Sequence, residues 1–203
     1  MGAVVVDISM SLDGFVAAPG VDLEHGLGVG GEVIHNWVLD GRTDADDKVL
    51  DDAVAATGAV VMGRRLFDIV DGPHGWNDDM GYGAERGQSI SPPYFVVTHQ
   101  APTRMRLSGD FTFVTGGVTD AVEQAKAAAG DKDVVVMGGA SVCSQCVAAG
   151  LADEVRIHLA PVLLGGGTRL FDHLGTGTIA LDVAKVIETP QATHLFYRVA
   201  EHR

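Results

Sequence analysis

The sequence predicts an α/β fold with a mostly parallel central sheet and antiparallel strands added at its C-terminal edge. Up to residue 150, short apolar runs alternate with helical patterns, the order that strand–helix–strand units of a parallel sheet produce. After residue 150, strand patterns follow one another without helices between them, so the last strands are expected to pair antiparallel. The chain has 203 residues, 46% hydrophobic and 20% charged, enough for one sizeable core, and a single domain over residues 1–203 is expected.

The elements follow in order. Residues 3–10 read as a first strand, Ser11-Leu12-Asp13-Gly14 as a turn, and Phe15-Val16-Ala17 as a return to extended chain. Residues 18–42 are rich in glycine and polar residues, with a short apolar patch at Val33-Ile34 and Trp37-Val38-Leu39, and read as a long functional loop with one helical turn. Within it, Gly26-Leu27-Gly28-Val29-Gly30-Gly31 matches the dinucleotide pattern G-x-G-x-x-G. That fingerprint needs a strand before it, and Val21-Asp22-Leu23-Glu24-His25 is no buried strand. Thr43 or Asp44 caps a helix to about Thr57, ended by Gly58, and Ala59-Val60-Val61-Met62 is a second buried strand. Gly63-Arg64-Arg65 leads into a short helix, Leu66 to Val70. Residues 71–93 form another long loop holding Trp76 and Tyr82, read as a substrate lid or a dimer contact.

Tyr94-Phe95-Val96-Val97 and Phe111-Thr112-Phe113-Val114 are the next strands, and Thr119 or Asp120 caps a further helix. Val134-Val135-Val136-Met137 then leads through Gly138-Gly139 into a helix opened by Ala140-Ser141 and stopped by Gly150. Residues 155–160 alternate and continue to Leu164, before Gly165-Gly166-Gly167. Ile179 to Ile187 and Thr193 to Val199 close the sheet.

The formal net charge of −13 argues against nucleic acid as a partner, because phosphate backbones need Lys/Arg surfaces. No apolar run approaches the ~20 residues of a membrane span. The N-terminus lacks a basic signal-peptide region. Two cysteines give no disulfide framework. A cytoplasmic, small-molecule protein is expected. Gly138-Gly139 is the most informative stretch. A strand, a glycine turn and a helix N-terminus together make an anion site for which a pyrophosphate is the usual tenant; tight helix–strand packing without a ligand is the alternative.

Four motifs occur in order: Ser9-Met10-Ser11-Leu12-Asp13-Gly14; Val60-Val61-Met62-Gly63-Arg64-Arg65; Met137-Gly138-Gly139-Ala140-Ser141; and the stretch from Asp153 through His158 and Gly165-Gly166-Gly167-Thr168 to Phe171. Together they resemble the RibD C-terminal family, dihydrofolate reductase-like proteins related to the reductase half of a bifunctional riboflavin-biosynthesis deaminase-reductase. The resemblance implies a three-layer dihydrofolate reductase-like fold, hydride transfer from NADPH, and a homodimer. It implies that Gly63 and Arg64 sit by the cofactor phosphates, and that Thr98 and His99 end the strand meeting the 2'-phosphate. It sets Gly138 and Gly139 against the pyrophosphate, with Ala140, Ser141 and Val142 at the helix start. Ser9, Val16 and Ala17 border the nicotinamide, and Gly165, Gly166, Gly167 and Thr168 line the substrate cleft. Arg64 and Arg65 alone would read as a solvated face; beside the glycine turn and Thr98-His99 they favour phosphate, and so NADPH over NADH.

Three residues are candidates for the chemistry. His158 falls where dihydrofolate reductases hold a threonine next to the substrate, and is either a proton donor or a satisfied structural histidine. Asp47, with Asp44 and Asp46 close by, falls near their pterin-binding carboxylate, although Trp37 lies too far back to match the tryptophan before that acid; the alternative is three acids complementing a helix dipole. Asp13 is a donor or merely part of an Asp-Gly turn. Cys143-Ser144-Gln145-Cys146 is either a redox pair or a buried helix face, and no second pair exists to complete a zinc site. No H-x-E with P-C-x-x-C occurs, so the deaminase half of the bifunctional role is not expected. The expected activity is NADPH-dependent reduction of a pyrimidine- or pterin-like heterocycle, or of a carbonyl or imine compound. The rival is a nucleotide-binding protein of the same fold without turnover.

Overall fold

A computed structural model describes residues 2–77, 81–83, 92–172, 174–175 and 177–200. The strands are β1 (Val4–Ser11), β2 (Phe15–Ala17), β3 (Thr57–Gly63), β4 (Tyr94–Val97) and β5 (Phe111–Val114). They continue with β6 (Asp133–Gly138), β7 (Glu154–Ala160), β8 (Thr168–Arg169), β9 (Leu181–Glu188) and β10 (Thr193–Val199). The helices are α1 (Asn36–Leu39), α2 (Asp44–Ala56), α3 (Arg64–Val70), α4 (Val118–Ala129) and α5 (Ala140–Ala148). Eight strands form one sheet in the order β5-β4-β3-β6-β1-β7-β10-β9, and β2 pairs with β8 apart from it. From β5 to β7 every pairing is parallel; β10 and β9 are antiparallel additions.

The three layers follow from the strand sequences. Val4, Val5 and Val6 are wholly buried, because a central parallel strand is covered on both faces. Val4 and Val6 pack into the large cluster with Ala121, Val122, Ala125 and Cys143 of α4 and α5. On the other face are two smaller clusters. One joins Val60, Met62 and Val96 to Phe67 and Val70 of α3. The other joins Trp37 and Val49 to Ala192. β1 crosses between them, so Asp7 and Ser9, two residues apart on one face, look into the gap.

Several boundaries differ from the sequence reading. Residues 18–42 hold two helical pieces, a 3-10 turn at Gly31–His35 followed by α1, with Ile34 and Trp37 buried. Thr43 caps α2 in a capping box closed by Asp46. Gly58 is not a helix stop: Thr57 already begins β3, and a Cβ on Gly58 would lie 2.7 Å from Lys132 and 2.8 Å from the Ala129 carbonyl oxygen. α4 starts at Val118 after Gly117, so Asp120 lies within its first turn and its carboxylate accepts from Gln124 instead of capping. β7 stops at Ala160 because Pro161 has no N–H to continue the ladder.

Candidate active site

Between the two smaller clusters a cavity of about 1100 Å³ opens over β6 and β1. Val135 and Met137 of β6 and Asp7 and Ser9 of β1 form its floor. The loop at Gly26-Leu27 reaches over its rim, and no strand precedes that glycine run, so it is not a dinucleotide turn. Trp76 and Tyr82 of the second long loop also line it.

One end of the cavity is an anion cradle. Gly138, Gly139, Ala140, Ser141 and Val142 form its wall, where β6 turns into α5. Gly138 takes φ +137°, and a Cβ on it would press Leu66 at 3.2 Å; a side chain here would be strained. A Cβ on Gly63 would meet Val142 at 3.0 Å. Among the described residues no side chain caps α5; the Val142 N–H donates to the Gly139 carbonyl, and Ala140 and Ser141, which border the cavity, turn their N–H groups and the positive end of the helix dipole toward a ligand.

Gly63, Arg64 and Arg65 form the adjoining wall, facing Thr98 and His99 at the end of β4. Arg64 is held in place by donating to Asp68 (2.7 Å) and to the Gln100 carbonyl (2.6 Å), and Arg65 donates to Val21 (3.1 Å). The Thr98 hydroxyl is turned into its own loop, donating to the Gln100 carbonyl at 2.8 Å, whereas His99 is exposed. Ser9, Val16 and Ala17 border the same cavity further along. Every residue assigned to the cofactor therefore lines one space.

The other end carries titratable groups. Register sets them: β7 pairs Arg156 with Asp7 and His158 with Ser9 on one side, and His158 with His194 of β10 on the other. His158 Nε2 lies 2.8 Å from Asp7 Oδ1, and His158 Nδ1 lies 2.8 Å from His194 Nδ1. His194 Nε2 lies 2.9 Å from Asp46 Oδ1. The second Asp46 oxygen accepts from the Thr43 backbone and hydroxyl. Trp37 covers both rings, its centroid 4.3 Å from His158 and 4.9 Å from His194, and it donates to the Ser9 hydroxyl at 2.9 Å. Burial alone would raise Asp7, but the charge and hydrogen bond of His158, with Arg156 behind, bring it below the usual carboxylate range. Burial, then the charge on His158, push His194 down.

His35 borders the same end. Burial, then the charge on His158, lower it to about 4 from an ordinary 6.5. The folded chain thus binds fewer protons than the unfolded chain between these values. Stability is expected to fall as pH drops through that window. Thermal midpoints measured across it check this, and His35→Gln should flatten part of the decline.

The other candidates fall elsewhere. Asp47 forms an ion pair with Arg42 at 2.6 Å and does not line the cavity. Helical spacing puts Asp46, Val49, Leu50 and Ala53 on the inward face and rotates Asp47 off it. Asp13 also lies outside the lining. It accepts from the Ser11 hydroxyl (2.6 Å) and from the Leu164 and Gly165 N–H groups, which hold it down to about 2; it anchors a turn. Of the glycine loop only Thr168 reaches the cavity; Gly165, Gly166 and Gly167 do not. Cys143 and Cys146 are fully buried. Burial raises both thiols, Cys146 to about 12, so neither offers a reactive thiolate.

Asp7 and His194 were missed by the sequence reading. The signal for Asp7 is an acid interrupting a buried valine run, which needs a partner to be tolerated.

Comparison with known proteins agrees with this architecture. Among solved structures, a Shewanella sp. PV-4 protein described as belonging to riboflavin biosynthesis superposes with TM-score 0.66 at 22% identity, over 98% of this chain and 99% of that one. A pyrimidine reductase-like protein of Corynebacterium diphtheriae gives 0.63 at 14% identity, over 98% and 93%. At the sequence level, the uncharacterised protein YyaP of Bacillus subtilis (strain 168) is 26% identical over 170 residues, 83% of this chain and 79% of its own length. The RibD C-terminal domain matches residues 3–195, from the first strand to the middle of the last and across every wall of the cavity. The chain belongs to the RibD C-terminal domain family.

Proposed function

We propose that this protein is an NADPH-dependent reductase acting on a pyrimidine- or pterin-like heterocycle, or on a small carbonyl or imine compound. One observation carries the reading: a single cavity holds the α5 N-terminus, a glycine cradle and Arg64 together with the Asp7–His158 pair and Trp37. The volume of about 1100 Å³ exceeds the roughly 300–1000 Å³ usual for one small-molecule site, which supports two occupants side by side.

The glycine pair, the α5 N-terminus and Arg64 are the groups that would hold the phosphates, and Ser9, Val16 and Ala17 those beside the nicotinamide. NADPH supplies the hydride when bound. Trp37 gives the substrate a flat wall, and Asp7 offers an acceptor oxygen to an N–H or O–H of the substrate. Asp47 and Asp13 have no part in this site.

The test is NADPH oxidation against a panel of pyrimidine- and pterin-like heterocycles, carbonyls and imines. Turnover with any of them supports the reading. Nucleotide that saturates and is never consumed favours the rival, a binding protein of the same fold.

A homodimer is part of the proposal. The edge strand β9 exposes Leu181, Val183 and Val186 at 40, 67 and 49%, an apolar edge that a second copy would cover. Light scattering should give twice the 21.2 kDa chain mass, and Val183→Glu should return it to one chain.

A further inference from the structure

We propose that Asp7, His158, His194 and Asp46 form one proton relay, which stores a single extra proton beneath the cavity and delivers it through Asp7 to the substrate atom left electron-rich by hydride addition. The inference rests on the reductase reading.

Proton counting carries it. Three hydrogen bonds in series, at 2.8, 2.8 and 2.9 Å, need three protons. Both ends are carboxylates, which only accept. His158 Nε2–H therefore serves Asp7, and His194 Nε2–H serves Asp46. The contact between the two Nδ1 atoms needs a third proton, and two neutral imidazoles carry only two. One ring is an imidazolium, or one carboxyl holds that proton instead; in both arrangements the four groups carry one net negative charge. We assign that proton to the two rings, at the Nδ1–Nδ1 contact, because both carboxylates are held below their ordinary range by the hydrogen bonds and charges around them.

The cluster opens at one end. The Asp46 and His194 side chains are fully buried, His158 is 5% exposed and Asp7 15%. Burying ionised groups this deeply is costly, and this set ends on the floor of the cavity. Among the described residues, the charged and titratable groups beside it are Arg156 on β7 and Cys143 on α5, both next to Asp7, and His35, near His158. Asp7 also borders a second, smaller cavity of about 270 Å³, with Lys48 and Asp52 of α2, Arg156, and Lys185 of β9. That cavity gives Asp7 a second opening, separate from the space the cofactor and substrate would fill.

The step balances. The substrate's double bond gains hydride at carbon, and its electron pair moves to the neighbouring atom. The His158 Nε2–H bond breaks as an O–H forms on Asp7. Rotation about Cβ–Cγ turns that O–H to the cavity, where it breaks as the product's new O–H or N–H forms. Two neutral imidazoles are left, and one proton from solvent, through the smaller cavity, restores the relay.

Imidazole ¹⁵N NMR of the protein without ligands tests the store independently of turnover. The expected result is one ring protonated on both nitrogens at neutral pH, with a strongly downfield proton coupled to the Nδ1 atoms of both rings. Two singly protonated rings at neutral pH would overturn the proposal. His194→Gln tests delivery: the alkaline limb of the pH–rate profile should move down by about one unit, and an unmoved limb would overturn that part. If no acceptor oxidises NADPH, the reductase reading fails and the NMR result alone decides the store.

Discussion

Replacing Asp7 with asparagine is expected to lower kcat/KM by about 10²- to 10⁴-fold, the usual contribution of a positioned acid–base group. Asparagine keeps the shape of the side chain and can still accept from His158 Nε2. It carries no charge to hold an imidazolium at His158, and its amide cannot pass a proton to the cavity. The larger loss should fall on kcat, because the proton step is removed, with a smaller rise in KM, because the oxygen offered to the substrate becomes an amide N–H. Nucleotide affinity should change little, since Asp7 is engaged with His158 and is none of the groups assigned to the phosphates. Steady-state kinetics together with nucleotide titration separate the two terms. Thermal unfolding of the variant checks that the loss is not one of folding.

Arg64→Ala is expected to weaken NADPH binding by about 10- to 100-fold, the value of one charge-assisted hydrogen bond of about 1.5–3 kcal/mol. NADH affinity should change much less, because it has no 2'-phosphate for the guanidinium to meet. The structure makes Arg64 the better of the two arginines for this role. Asp68 and the Gln100 carbonyl fix its guanidinium between the β3 and β4 strand ends, whereas Arg65 is drawn toward Val21 in the loop over the rim. A fixed guanidinium loses little freedom on meeting a phosphate. Arg65→Ala should therefore cost less. Raising ionic strength should narrow the difference between NADPH and NADH in the wild type.

The cofactor end was legible in the sequence because its signals are local. Gly63-Arg64-Arg65 and Gly138-Gly139-Ala140-Ser141 are contiguous strand-to-helix turns, and in a parallel sheet such turns from neighbouring strands gather at one edge. β3 and β6 are neighbours here, so their glycines meet. The other end is made of single residues far apart in sequence. Asp7, Asp46, His158 and His194 come together through the register of β1, β7 and β10 and through the rotation of α2. Nothing in the spacing of the chain specifies that meeting. It also decides which helix acid turns inward: Asp46 is both N-terminal cap partner and buried ligand of His194, while Asp47, one residue on, pairs with Arg42. The tryptophan sought close before that acid is absent in sequence, yet Trp37 arrives over His158 by way of the helical turns between Gly31 and Leu39.

Direct titration of the wild-type protein with NADPH and with NADH, followed by calorimetry and by quenching of Trp37 and Trp76 fluorescence, decides whether the cavity is a dinucleotide site. Both tryptophans line the cavity that the nucleotide would fill. Saturable binding of NADPH is expected, tighter than NADH by at least about tenfold, the worth of one phosphate contact. Absence of binding by either nucleotide would contradict it: the glycine turn and the α5 N-terminus would then serve packing alone.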